Sequence, residues 1–294
     1  MRAGNTAGQA RYWFDPAMPY VESRCASDSG AAYLPHTHPT LSIGAVDGGH
    51  SLFGTETESV RLAPGDVVVI PAGQVHACNP EPDARWSYQM LHLDPAWVGA
   101  VLEARGVAVL PAALARVRVT SAPDTYAGLC RLNDVLFSAA PQATKEAALG
   151  GFVAALLGGA DQRQAVRAPR QPVTPEARLA GLVALLHAHH AEPLPLAELA
   201  RGAGMSRYQL IRAFRADLGM TPHAYQLDLR INHARQLLRA GGAPAEIAQV
   251  LGFSDQSHFQ RAFKQRVALT PRSYQRRSGG AAAHGLKARN FLQY

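Results

Sequence analysis

The stretch Pro244-AEIAQVLGFSDQSHFQRAFKQRVALTP, which ends at Pro271, repeats an earlier one, Leu196-AELARGAGMSRYQLIRAFRADLGMTP, which ends at Pro222. Ala197-Glu198-Leu199-Ala200 aligns with Ala245-Glu246-Ile247-Ala248, and Gly204, Met205 and Ser206 align with Gly252, Phe253 and Ser254. After one inserted residue, Leu210, Arg212 and Phe214 align with Phe259, Arg261 and Phe263, and Thr221-Pro222 with Thr270-Pro271. A tyrosine follows each copy, Tyr225 and Tyr274. Self-similarity of this kind marks one supersecondary unit used twice.

Each copy reads as helix, glycine turn, helix. Leu196, Leu199 and Ala200 lie at the three- and four-residue spacings of a half-buried helix. Gly204 suits the φ > 0 position that ends it, and Ser206 can cap the next helix by accepting a backbone N–H. Leu210 and Phe214 then share a face. Ile247, Val250, Gly252, Ser254, Phe259 and Phe263 repeat the pattern. Two helices on a tight turn form a helix-turn-helix, whose second helix can enter the DNA major groove. The alternative for a single copy is a helical hairpin that only packs; two copies with matching caps and aligned arginines favour DNA.

Charge follows the repeat. Residues 175–280 hold 14 Lys/Arg against 7 Asp/Glu, whereas residues 1–174 hold 13 against 15. The basic excess therefore sits where phosphates would be met. Between the copies, Pro222 suits a first helical position and Gly241 a stop, and Tyr225, Leu229, Ile231 or Asn232, Ala234 and Leu238 form a stripe. About 18 helical residues span roughly 27 Å. With helix width added, that approaches the roughly 34 Å between successive major grooves on one face of DNA.

These residues resemble the AraC/XylS family of bacterial transcription regulators. The carrying features are the Leu199-ARGAGMS turn, LxRxF in the first reading helix, the long linking helix and, most specifically, the run from Ile247 through Gly252-Phe253-Ser254-Asp255-Gln256-Ser257-His258-Phe259 to Tyr274. The resemblance covers roughly residues 175–278. It implies a first reading helix from about Ser206 to Ala216 that presents Arg207, Tyr208, Ile211 and Arg212. It implies a second from about Asp255 to Arg266 that presents Gln256, Ser257, Gln260 and Arg261. Arginine can pair with guanine and glutamine with adenine, while Ile211 offers only apolar contact. Arg212 and Arg261 have a phosphate-binding or structural alternative, and His258 can meet phosphate or pack.

The first half has another texture. Ser51 to Phe53, Ser59 to Leu62, Val67 to Ile70 and Trp86 to Leu93 read as strands broken by turn residues, which argues for a small antiparallel barrel or sandwich. Gly65, Pro71, Gly73, His76 and Asn79 resemble the second cupin motif, and His36-Thr37-His38 the start of the first. The glutamate of metal-binding cupins is missing from residues 39–44, and Asn79 arrives one residue early. The resemblance is thus to the sugar-pocket cupins that precede AraC-type DNA-binding domains. His36 and His38 read as alternating on a strand, so that they share a face with which His76 can meet. Three imidazoles can hold Zn²⁺ or another transition metal, or hydrogen-bond an organic effector or one another. Trp86, Tyr88, Met90 and His92 share one strand face and Ser87, Gln89, Leu91 and Leu93 the other; the sequence leaves open which looks inward.

Residues 95–160 turn helical, through Trp97, Val101 and Leu102, then Tyr126, Leu129, Leu132, Val135 and Leu136, then Leu149, Phe152, Val153, Leu156 and Leu157. In the resembled family such helices pair two subunits; packing on their own barrel is the other reading. The expected organisation is α+β and multidomain: a cupin-like effector barrel (1–94), a helical subdomain (95–160), a Pro/Gly-containing linker (161–175), an all-α DNA-binding domain with two helix-turn-helix units (176–280) and a tail (281–294). At 294 residues the chain can bury two cores. It has no apolar run that would span a membrane and no apolar signal core at its start. Cys25, Cys78 and Cys130 lack disulfide or metal spacing, consistent with a reducing cytoplasm. P-loop, dinucleotide and nucleophile-elbow motifs are not found, so no enzyme is expected. The expected function is a ligand-responsive regulator, and an activator that contacts RNA polymerase, with double-stranded promoter DNA, a small-molecule effector and a second copy of itself as partners. The alternative is a metal-dependent cupin enzyme or metal sensor fused to a DNA-binding domain.

Overall fold

The computed structural model describes residues 9–54, 59–107, 116–158 and 177–277. It divides into two compact units, Met1–Thr174 and Pro175–Tyr294. The linker expected at 161–175 and the tail at 281–294 lie outside the described residues.

The first unit is two antiparallel sheets with helices on one side. Strands β1 (Ala10–Phe14), β2 (Val21–Ser29), β3 (Leu41–Gly48), β6 (Val67–Ile70), β8 (Trp86–Leu93) and β9 (Arg118–Thr120) form a six-stranded sheet ordered β1-β2-β8-β3-β6-β9. Strands β4 (Ser51–Gly54), β5 (Ser59–Leu62) and β7 (Ala77–Pro80) form a three-stranded sheet ordered β5-β4-β7. The large sheet is buried on both faces, so β3 reads Leu-Ser-Ile-Gly-Ala-Val without polar alternation. Trp86 and Tyr88 of β8 join Val46, Phe53, Leu62, Val68, Ile70 and Cys78 in the core between the sheets, with Met90 packed against it. That is the inner face. Leu91 and Leu93 point the other way, into a core with Ile43, Val67, Val69 and the helices.

Helix α1 (Pro95–Ala104) starts where Asp94 accepts the N–H groups of Ala96 and Trp97, at 2.8 and 3.0 Å. Helices α2 (Pro123–Leu136) and α3 (Gln142–Gly158) cover the outer face with Leu129, Leu132, Leu136, Leu149, Val153 and Leu157. Each such side chain contributes about 1.5–3 kcal/mol. Packing on the barrel is therefore one role of these helices. A buried polar chain fixes their register: Ser23 Oγ donates to Asn133 Oδ1, Asn133 Nδ2 to Gln89 Oε1, and Gln89 Nε2 to Asp47 Oδ1, all within 2.7 Å.

The second unit is all helical. It runs α4 (Ala177–Ala188), α5 (Leu196–Gly202), α6 (Arg207–Leu218), α7 (Pro222–Arg239), α8 (Pro244–Val250), α9 (Gln256–Val267) and α10 (Pro271–Arg277). The sequence repeat is a repeat of bonds. Gly204 (φ 64°) and Gly252 (φ 69°) both take the left-handed turn. Met205 N–H donates to Ala200 O and Phe253 N–H to Ala248 O, each at 2.9 Å. Phe214 meets Tyr225 edge-on with centroids 5.9 Å apart, and Phe263 meets Tyr274 at 5.5 Å. Thr221 and Thr270 each cap the helix that follows.

Three sequence expectations change. Val250 does not join the stripe of α8 but is 65% exposed; Ile247, Ala248 and Leu251 take the core instead. Ser254 does not cap α9. Asp255, the inserted residue, does so by accepting the His258 N–H at 2.7 Å. His36 and His38 lie not on a regular strand but on the segment before β3, where His36 forms an isolated antiparallel bridge with His76.

Candidate DNA-reading helices and histidine cluster

The expected contact residues of the second unit fall on one exposed face of each reading helix. Helix α6 begins with a capping box: Ser206 Oγ accepts the Gln209 N–H at 3.2 Å, and Gln209 Oε1 accepts the Ser206 N–H at 2.9 Å. Leu210 and Phe214 are buried, which leaves Arg207, Tyr208 and Arg212 exposed and Ile211 half-buried. Tyr208 is 69% exposed, with the Arg212 guanidinium 5.6 Å from its ring centre. In α9, Phe259, Ala262, Phe263, Arg266 and Val267 are buried, and Gln256, Ser257, Gln260 and Arg261 are exposed. Exposed Arg215 and Lys264 continue these faces one turn further. Sequence reasoning missed them, although their spacing of three from Arg212 and Arg261 was the available signal.

The 18-residue helix α7 carries both reading helices on one frame. Arg230 donates through Nε to His190 O (2.6 Å), through Nη1 to Gly252 O (2.5 Å) and through Nη2 to Glu192 O (3.0 Å). It thereby ties the turn of the second helix-turn-helix to the chain before α5. Arg266 of α9 places Nε 3.7 Å from Asp228 Oδ1 of α7, with both side chains almost fully buried. The Asp255 carboxylate at the start of α9 is held below its usual range by the His258 backbone N–H.

In the first unit His36, His38 and His76 converge. Main-chain bonds place them: His36 N–H donates to His76 O and His76 N–H to His36 O, each at 3.0 Å, and Gly73 N–H donates to His38 O at 2.8 Å. Asn79 clamps the incoming segment, accepting the Tyr33 N–H at 2.6 Å and donating to Tyr33 O at 3.0 Å. The glycine and asparagine of the cupin-like motif thus act through the backbone that carries the histidines. Ring centres lie 4.8 Å (His36–His38), 4.6 Å (His36–His76) and 5.2 Å (His38–His76) apart. One nitrogen from each ring lies within 4.8 Å of the others. All three residues are buried. Burial pushes the His76 imidazole down to about 4, with its bond to Gln74 O opposing, so His76 is neutral at neutral pH.

A fourth histidine belongs to the group. His92 of β8 lies 4.5 Å from His38 between ring centres, and its Nδ1 is 2.9 Å from Ser42 Oγ. Sequence reasoning placed His92 on the strand face with Trp86 and Tyr88 but not in the site, because the strand pairing that brings it to His38 is not visible along the chain. The same pairing sets Glu22 of β2 opposite His92. The aromatic end of the interior is filled: the cavity beside Gly44, Trp86, Tyr88 and Met90 measures only about 10 Å³.

Known proteins place both units. The AraC-like ligand binding domain family matches residues 19–141, and the helix-turn-helix domain family matches residues 199–277. The uncharacterized HTH-type transcriptional regulator YbfI of Bacillus subtilis is 29% identical over 76% of this chain and 80% of its own length. The HTH-type transcriptional regulator ArgR of Pseudomonas aeruginosa is 35% identical over 41% of this chain, a match that spans 38% of ArgR. Among solved structures, a variant of apo ToxT from Vibrio cholerae shares the fold over 93% of this chain and 98% of its own, with a TM-score of 0.56 at 12% identity. No described helix is long and apolar enough to cross a membrane. The chain thus joins an AraC-like ligand-binding domain to an AraC-type helix-turn-helix domain, the two parts of a ligand-responsive DNA-binding regulator.

Proposed function

We propose that this regulator is a promoter-binding activator in which Arg207, Tyr208, Ile211 and Arg212 of α6 and Gln256, Ser257, Gln260 and Arg261 of α9 contact DNA. The observation that carries this reading is that both sets form exposed faces on capped helices joined to one continuous helix. Gln256, Gln260 and Arg261 offer more base-pairing groups than the α6 face, where Ile211 stands opposite Gln260 in the repeat. Arg215 and Lys264 supply phosphate contacts at the far end of each face. His36, His38 and His76 form the effector site, and we read it as a sensing site and not a catalytic centre. An effector acts by binding two states of the protein with different affinity. The regulator works in the cytoplasm as a homodimer paired through α2 and α3, whose outward groove of about 570 Å³ is lined by Gly128, Ala148, Gly151, Phe152 and Leu156. As an activator it contacts RNA polymerase.

Fluorescence anisotropy with promoter-derived duplexes carrying single base changes tests the DNA assignment. Arg261→Ala should lose about 1–3 kcal/mol on the preferred duplex and flatten the preference at one base pair. A uniform loss on every duplex assigns Arg261 to phosphate and overturns the base-reading role.

A further inference from the structure

We infer that His190 and His233, with His187 beside them, form a proton-sensitive joint in the second unit: acid unstacks the two rings and releases the turn at 189–192 from α7 and from Gly252, which frees the second helix-turn-helix from its frame. This rests on the reading of the second unit as the part that reads DNA and adds a regulatory input to it.

The joint is a face-to-face ring stack. His190 lies in the turn after α4 and His233 in the middle of α7, with ring centres 3.9 Å apart and planes 4° from parallel. Neutral rings at that distance attract by dispersion, whereas two imidazolium rings repel. In parallel rings the in-plane lone pairs point side by side and do not converge, so the pair is not built to share a metal ion. His190 Nδ1 lies 3.0 Å from His187 O. A carbonyl only accepts, so Nδ1 carries the proton and Nε2 is the atom that titrates. His187 Nε2 lies 3.0 Å from the Tyr225 hydroxyl of α7. Three imidazoles from α4, the turn and α7 thus meet at one junction.

Among the described residues, the charges that act on His233 are those of His190 and His187, and the charge that acts on His187 is that of His190. No carboxylate is among them. Of the acids on the same elements, Glu192 is bonded to His189 Nδ1 at 2.9 Å and Asp228 faces Arg266 of α9 at 3.7 Å. Arg230 adds a permanent positive charge 2.6 Å from His190 O, and His223 at the start of α7 faces Arg230, His258 and Arg266. Burial and the neighbouring imidazoles hold His187 and His233 below the ordinary value, so the closed joint binds fewer protons than the open one. The closed form is fully favoured above about 6.5, the value of a free imidazole, and loses ground as pH falls below it.

The turn that moves is the one on which the second helix-turn-helix rests. Gln226 Nε2 donates to His190 O at 3.1 Å and to Glu192 O at 2.7 Å. Arg230 holds the same two carbonyls and Gly252 O. The Ala191 carbonyl between them lies against Gly252, where any Cβ would collide. Pushing His190 away from His233 draws these carbonyls off α7 and loosens Arg230, and with it the turn between α8 and α9. Gly204, the equivalent residue of the first helix-turn-helix, has open space in place of that contact. Acid therefore acts on the second reading helix more than on the first.

Hydrogen exchange resolved by peptide on the full chain, at pH 7.5 and 5.5 and corrected for the intrinsic rate of each amide, reads the joint. Protection of residues 189–192 and of α8 and α9 should fall about tenfold for each imidazole that titrates at about 6.5 only in the open form. Protection of α5 and α6 should fall less. His233→Gln, which is polar and cannot take up a charge, should remove the difference between the two helix-turn-helix units. A nuclear magnetic resonance titration of the wild-type imidazoles needs no variant to fold, and His233 and His187 should titrate below about 6.5. Equal loss of protection in the two units, a selective loss that persists in folded His233→Gln, or a His233 that titrates above the free value overturns the joint. Promoter against random-DNA affinity at pH 7.5, where the joint is closed, reports on the regulator reading separately.

Discussion

Replacing the turn glycine of each helix-turn-helix by alanine should have unequal effects, although the two positions are equivalent in the repeat. Gly204 has φ 64° and nothing within 4 Å of a built Cβ. Gly204→Ala therefore adds only the left-handed strain of an L-residue, about 1–2 kcal/mol. Gly252 has φ 69°, but a Cβ there collides with the Ala191 carbonyl oxygen. The clash is with backbone, so the chain around Ala191 must retreat. Its neighbours His190 and Glu192 supply two of the three carbonyls that Arg230 holds, and Gly252 supplies the third. Losing even one hydrogen bond from a charged donor costs about 1.5–3 kcal/mol. Gly252→Ala should thus cost about 3–4 kcal/mol in all. Hydrogen exchange resolved by peptide reads each turn in the intact chain. Amides of α8 and α9 should speed up by some hundreds-fold in Gly252→Ala, and those of α5 and α6 by about tenfold in Gly204→Ala, at about 1.4 kcal/mol per decade. Equal acceleration in the two variants would refute the claim that the Ala191 contact and the Arg230 clamp, and not the turn alone, secure the second unit.

Other outcomes follow from single contacts. Asp228→Asn removes the carboxylate 3.7 Å from the buried Arg266 and should cost about 3–5 kcal/mol; a loss under about 1 kcal/mol by urea unfolding contradicts the pairing. Ala268 ends α9 at φ 58° where Gly219 ends α6 at φ 71°, so Ala268→Gly should stabilise by up to about 1 kcal/mol, and a fall in melting temperature contradicts this. Acid should destabilise the chain. Burial holds His76 at about 4, and burial with neighbouring histidines holds His187 and His233 below the ordinary imidazole value. The folded state then binds fewer protons than the unfolded one, so stability is retained above the unfolded value of about 6.5 and lost as pH falls below it. Thermal melts at pH 7.5, 6.5 and 5.5 should show a falling midpoint, and a constant or rising one is incompatible with a neutral buried His76 and with His187 and His233 held below the ordinary imidazole value.

What the sequence shows depends on whether the physics is local. Caps, left-handed glycines and three- and four-residue spacings act within a few residues, so the two helix-turn-helix units and the faces of α6 and α9 are legible in it. The cap of α9 was displaced by one residue because Ser254 and the inserted Asp255 are both good caps, and only the carboxylate reaches the His258 N–H. Strands β2 and β3 escaped notice for different reasons. Strand β3 is buried on both faces and does not alternate, while β2 carries Glu22 and Arg24 on its inner face, where alternation would call for apolar residues. The meeting of His36, His38 and His76 was readable from motif spacing. The addition of His92 and Glu22 was not, because it depends on the β2–β8–β3 register. The Asp228–Arg266 pair is likewise a tertiary fact: the stripe of α7 reveals its apolar side and not the buried ion pair that locks α9 to it.

We propose that both halves of the repeat read DNA together from the one helix α7. Hydroxyl-radical footprinting of the full chain on promoter DNA tests it most directly. Two protected segments are expected on one face of the duplex, about 10 bp apart, with the segment facing α9 lost in Gln260→Ala/Arg261→Ala and the other retained. A single protected segment, or two that disappear together in that variant with the fold intact, would contradict it.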